Sequence, residues 1–152
     1  MNLGQRNRSW TPSKGEDRYR RGLYTHFWRA TQHPALAVFD AADSFSACTR
    51  RLRSNTPLQA LTLLNDQQFF EFAGALADRI AREGGPTDVT RIEFAFHACV
   101  SRPPTPVETN RLAGLLRELQ TPADGGTGAT PHEAWVTVAR VLLNLDETIT
   151  RE

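Results

Sequence analysis

The side chains able to do chemistry cluster early in the chain, where His26, His33, Asp40, Asp43 and Cys48 fall within 23 residues. Their types suit two kinds of site. Cys48 with a histidine base and an acid would make a nucleophilic or hydrolytic centre, and Arg50 and Arg51 beside the thiol would favour the thiolate. Three or four of the five converging in a tetrahedron would hold zinc. No two of them stand at ligand spacing on one expected element, however, and the same arginines would serve a structural cysteine beside an ion pair. No glycine-rich phosphate loop, GxSxG elbow or HExxH motif occurs. No catalytic residue and no metal ligand is assigned, and the balance is against an enzyme.

A haem site fares no better. There is no Cys-x-x-Cys-His, the only methionine is Met1, and His26, His33, His97 and His132 lie in different segments. His97 reads as a packing residue and His132 as solvent-facing. No cofactor is expected in this chain.

A second chemistry is recognition. Arg18, Arg20, Arg21, Arg29, Arg50, Arg51 and Arg53 are interleaved with Tyr19, Tyr24, Phe27 and Trp28. Arg18, Arg20, Tyr24, Trp28 and Arg29 would suit an acidic or sulfated polysaccharide, by charge plus stacking. The competing reading is structural. Residues 1–56 carry ten Lys or Arg against four Asp or Glu, a net +6, and residues 57–152 carry eight against thirteen, a net −5. Opposite halves of this kind favour arginines that tie the leader to the helices. Arg20, Arg21, Asp40, Arg50, Arg51 and Asn55 are the expected members of that polar network. The overall charge of +1 argues against a nucleic-acid partner.

These residues must be positioned by helices. Residues 1–22 are polar, with Gly4, Pro12 and Gly15, and read as an arm or extended loop; residues 23–150 read as one helical domain. Leu23 to Trp28 suits either a short buried strand or one helical turn. Residues 35–55 read as an ordered loop with a short helix. Three Thr-Pro-x-Gln/Glu boxes then open at Thr56, Thr105 and Thr130, each a threonine cap, a proline with φ pre-set, and a residue that reaches back. The expected helices cover about 57–65, 67–83 and 88–100, followed by two that start at the second and third boxes. Gly84-Gly85-Pro86 and Arg102-Pro103-Pro104 supply the breaks, and residues 121–130, with three glycines, a flexible excursion.

Apolar spacing marks the buried sides: Leu58, Leu61 and Leu64; Phe69, Phe72, Ala73, Leu76 and Ile80; Val89, Ile92, Phe96 and Cys99; Leu112, Leu115, Leu116 and Leu119; and Trp135, Val138, Leu142 and Leu145. The fold class is mainly α, a compact bundle of about five helices with an irregular N-terminal segment. Cys48 and Cys99 make no disulfide framework, and whether they pair is open. No apolar run approaches the ~18 residues of a membrane span, so no membrane partner is expected. The N-terminus has no apolar signal-peptide core, and the chain reads as a piece of a longer polypeptide.

The order of several strings carries a resemblance. Arg20-Arg21-Gly22-Leu23-Tyr24-Thr25, Phe39-Asp40-Ala41, Cys48-Thr49-Arg50-Arg51, Ser54-Asn55-Thr56-Pro57-Leu58-Gln59-Ala60-Leu61, Arg102-Pro103-Pro104-Thr105 and Leu142-Leu143-Asn144-Leu145-Asp146-Glu147 occur in that order. Together they resemble the C-terminal domain of unknown function of planctomycete and verrucomicrobial-type cytochrome-c-associated multidomain proteins. The resemblance covers about residues 10–150, and the chain looks like roughly the last half of that domain. It implies an exported or periplasmic protein, with haem c on a separate upstream domain. It also implies a partner in the rest of the parent polypeptide or in another protein. Where the family commonly has proline after Phe-Asp-Ala, this chain has Ala42. The expected role is a non-catalytic interaction or scaffold module.

Overall fold

Each long helix begins where the local sequence satisfies its first amide groups. The computed structural model describes residues 13–25, 32–42, 47–50, 54–121 and 126–150. Among them are α1 (Pro34–Val38), α2 (Pro57–Asn65), α3 (Gln67–Glu83), α4 (Asp88–Val100), α5 (Pro106–Gln120), α6 (Pro131–Leu143) and α7 (Asp146–Ile149). Two 3-10 turns, Gly15–Tyr19 and Gly22–Tyr24, precede them. No strand occurs among the described residues. Leu23 and Tyr24 therefore lie in a tight turn, and residues 26–28 fall outside the described part.

The capping boxes at Thr56, Thr105 and Thr130 all form, with Gln59, Glu108 and Glu133 closing them. A fourth box, Thr87 with Thr90, opens α4. It has no proline and closes with a hydroxyl rather than a carboxylate or amide, so the Thr-Pro pattern misses it. Asp66 caps α3 by accepting from the Gln68 N–H at 2.8 Å.

The hydrophobic core is organised on α6. Ala134, Trp135, Val138, Ala139 and Leu142 are all buried, and α6 packs against α2, α3, α4, α5 and α7. Ala73 and Ala77 of α3 are buried, and α3 packs extensively against α6. Ile80 of α3, Ile92, Ala95 and Phe96 of α4, and Leu112 and Leu116 of α5 complete the core.

Five expected inward positions are exposed, namely Phe72 of α3, Val89 of α4 and three leucines of α2. Val89 is 49% exposed, because it stands in the first turn of α4 beyond the reach of its neighbours. The leucines of α2 depart further: Leu58, Leu61 and Leu64 are 58%, 54% and 37% exposed. The buried residue of α2 is Gln59.

The turn from α3 to α4 depends on Gly84. A Cβ there would lie 2.6 Å from the Ile80 carbonyl oxygen and 3.0 Å from Arg91 Cα, both backbone atoms. The glycine thus permits a close approach of α4 to the end of α3, and the positive φ of Gly85 (88°) completes the turn. Gly84→Ala is expected to destabilise the fold by roughly 1–3 kcal/mol, measured by urea unfolding. A neutral effect would show that the two helices are not locked at this contact.

Candidate interaction surface

Three polar knots fix the leader and the helix ends, and together they set which surfaces remain open. The first is built on Gln59, 1% exposed. Its Oε1 accepts from the Thr56 N–H at 2.9 Å, while its Nε2 donates to the Val38 carbonyl at 2.9 Å and the Ser54 hydroxyl at 3.1 Å. Asp40 sits just past α1 in the left-handed region, φ 56°, which Asp tolerates better than most side chains. Its Oδ2 accepts from the Ser54 N–H at 2.8 Å and the Ser54 hydroxyl at 2.7 Å, with Gln59 Nε2 at 3.5 Å. This knot joins the end of α1 to the start of α2.

The second knot clips the leader to α3. Arg18 Nη2 donates to both Glu71 carboxylate oxygens at 3.1 Å, and the Tyr19 hydroxyl donates to Oε2 at 2.8 Å. The Arg18 carbonyl accepts from Gln68 Nε2 at 2.9 Å. The hydrogen bond from Tyr19, then those from Arg18, hold the Glu71 carboxyl below its ordinary range. Tyr19 also begins an aromatic row, with ring centroids 5.9 Å from Phe72, then 5.8 Å on to Phe69 and 5.8 Å on to Phe39.

The third knot gathers the α4–α5 turn and α7. Arg102 bonds both oxygens of Glu108, at 2.7 and 3.0 Å, and both oxygens of Glu147, at 2.6 and 2.7 Å, with its guanidinium 5.3 Å from the Phe96 ring centroid. Arg102 and then the Thr105 N–H push the Glu108 carboxyl down to about 2, and Arg102 lowers Glu147 as well. Neither carboxylate is suited to donate a proton near neutral pH.

The residues expected to bind or to brace distribute themselves unevenly over these knots. Arg18 is committed to Glu71, and Arg20 makes an exposed pair with Asp17 at 2.6 Å. Arg21 and Arg50 are exposed, and Tyr24 is 65% exposed. Asp40 meets Ser54 and Gln59 rather than an arginine among the described residues, and Asn55 Nδ2 donates to Asp146 of α7. Trp28, Arg29 and Arg51 lie outside the described residues, as do His26 and Asp43. Cys48 is exposed, whereas burial pushes the Cys99 thiol up, away from the thiolate. Among the described residues no three His, Cys, Asp or Glu side chains form a group that could hold a metal ion. No described helix is long and apolar enough to cross a membrane.

What stands open is the outer side of α2. Leu58, Leu61 and Leu64 recur at three-residue steps along it, and Phe70 of α3, 53% exposed, adjoins its C-terminal end. Arg140 of α6 connects the two: Nη2 donates to the Leu64 carbonyl at 2.8 Å, and the guanidinium lies 5.2 Å from the Phe70 ring centroid. Sequence reasoning missed Gln59, Glu71 and Arg140 as organising residues. Only Gln59 carried a local signal, its place in the capping box.

The fold and its knots define a mainly α chain in which Gln59, Arg18 and Arg102 bind separate segments together. Over residues 1–116 it matches the family described as PSD1, protein of unknown function (DUF1553). The chain belongs to that family. Comparison with curated proteins and with solved structures gave no match.

Two outcomes follow from the knots. Gln59→Leu leaves the Thr56 N–H and the Val38 carbonyl without their partner, and is expected to destabilise by roughly 2–4 kcal/mol. Chemical denaturation checks it, and a stabilised variant would show that the amide is not what holds α2. Acid sensitivity follows from Glu71, Glu108 and Glu147, whose carboxyls hold protons less tightly folded than unfolded. For Glu108 the contribution is complete above its ordinary value of 4.5 and is lost as pH falls towards about 2. The melting temperature should fall across that window, and Glu108→Gln should flatten the fall. An unchanged acid limb in that variant would remove Glu108 from the account.

Proposed function

We propose that this chain is a non-catalytic interaction or scaffold module whose working surface is the outer side of α2. The observation that carries the reading is an apolar stripe left uncovered on a helix whose orientation is fixed. The Gln59 knot holds the start of α2 and the Arg140 bond holds its end, so Leu58, Leu61 and Leu64 are presented rather than merely unburied. The resemblance to cytochrome-c-associated multidomain proteins supports a setting near the end of an exported polypeptide, with haem c on another domain.

An acidic-glycan patch is the weaker reading. Arg18 and Arg20 already face carboxylates, which reduces the basic charge offered to an anionic chain. A hydrolytic or metal site built on Cys48 has less support still, with the thiol exposed and no ligand group around it among the described residues.

The test has two arms. Leu61→Lys should change stability by less than about 1 kcal/mol, as for a surface position. A photo-reactive residue placed at 61 in the producing cell should give a discrete adduct, and one placed at Arg111, on the exposed side of α5, should not. A large loss of stability, or no adduct from position 61, would defeat the reading.

A further inference from the structure

The two ends of α2 carry opposite charges that are each half-used. At its C-terminal end Arg140 is occupied by a carbonyl and an aromatic ring, and among the described residues it pairs with no carboxylate. At its N-terminal end stands exposed Asp146, whose Oδ1 accepts from Asn55 and from the Thr150 hydroxyl. Its Oδ2 has no hydrogen-bond partner among the described residues. Between the two lie Leu58 and Leu61, with Leu64 and Phe70 at the Arg140 end.

Such a surface is complementary to itself. A two-fold axis passing beside Leu61 would lay one α2 antiparallel on another, with leucines meeting leucines along the seam. The same rotation brings the C-terminal end of one helix over the N-terminal end of its mate, so each Arg140 approaches Asp146 of the partner subunit, twice per pair. The opposed helix dipoles favour that arrangement as well. No other occupant is specified so fully by features of this chain, since a foreign helix would have to supply both the apolar ridge and charges at both ends.

We propose that the outer side of α2 is a homodimer seam, with a second copy of this chain as its occupant. This rests on the interaction reading given above and deepens it by naming the partner. One nine-residue helix per subunit, with Phe70 beside it, offers less than the ~800 Å² per partner typical of stable complexes, so the association is weak and depends on concentration.

Sedimentation velocity of the purified chain, from about 10 µM to about 1 mM, reads the equilibrium directly. The expected result is a shift from monomer to dimer across that range. Leu61→Glu should abolish the shift while leaving the helical circular-dichroism signal unchanged. Arg140→Glu and Asp146→Arg should each weaken self-association about tenfold. Mixed one to one, the two variants should associate more tightly than either alone, because each would then offer the charge the other lacks. That mixture separates a pairing role from a purely structural one, which mixing cannot repair. A wild-type chain that stays monomeric throughout, a dimer unaffected by Leu61→Glu, or a mixture no tighter than its components would overturn the proposal. If the chain is monomeric while position 61 captures a different protein in cells, the homodimer falls and the interaction reading stands. If position 61 captures nothing, both fall.

Discussion

Gln59 is almost completely enclosed, and an enclosed amide has to find partners for its oxygen and its nitrogen or cost the fold several times the worth of one ordinary hydrogen bond. It finds them in Thr56, Val38 and Ser54, which belong to the cap of α2, the end of α1 and the residues just before that cap. Only one rotation of α2 about its axis allows all three. Turning the helix to bury Leu58 and Leu61 would carry the amide out of its cage and leave a backbone amide and a carbonyl unanswered. The polar requirement of a single side chain thus outweighs the burial of its leucine neighbours. The left-handed Asp40 and the capping hydroxyl of Thr56 depend on the same arrangement.

Arginine does much of the long-range bracing. Arg18 reaches 53 positions along the chain to Glu71, and Arg102 reaches 45 to Glu147 while also holding Glu108. The planar fork explains the choice, since it engages two carboxylate oxygens at once, or a carbonyl and a ring face together as Arg140 does. These pairs are partly open to water, so each is a modest contributor to stability. Their larger effect is geometric, because they fix where a chain segment lies relative to a helix.

The helical half of the fold was legible because its information is local. Thr-Pro boxes at Thr56, Thr105 and Thr130 state where a helix begins, Gly84-Gly85 states where one ends, and the spacing of Ile92, Phe96, Leu112, Leu116, Trp135, Val138 and Leu142 states which side turns inward. The surface was much less legible. A stripe of leucines and a lone glutamine invite the opposite assignment from the one observed, because a pattern records hydrophobicity and not the partners a polar group will meet. Glu71 carried no signal of its own. Nothing in its neighbourhood marks it as the anchor for Arg18 and Tyr19, and only the folded chain brings them together. The charge of the arginine-rich leader did not say which residue meets which: Arg18, read from the sequence as a binding residue, is the one that pairs with α3.

The centrality of α6 also bears on how the chain is made. The helix against which five others pack is synthesised after four of them. During translation the apolar sides of α3, α4 and α5 wait beside the ribosome with their common counterpart still inside it. Their strong caps allow each to hold a helical turn while it waits, but the hydrophobic interior cannot close until Leu142 has emerged. A nascent chain of this design has an extended interval of vulnerability to chaperone capture and to premature association, ended by a single late event.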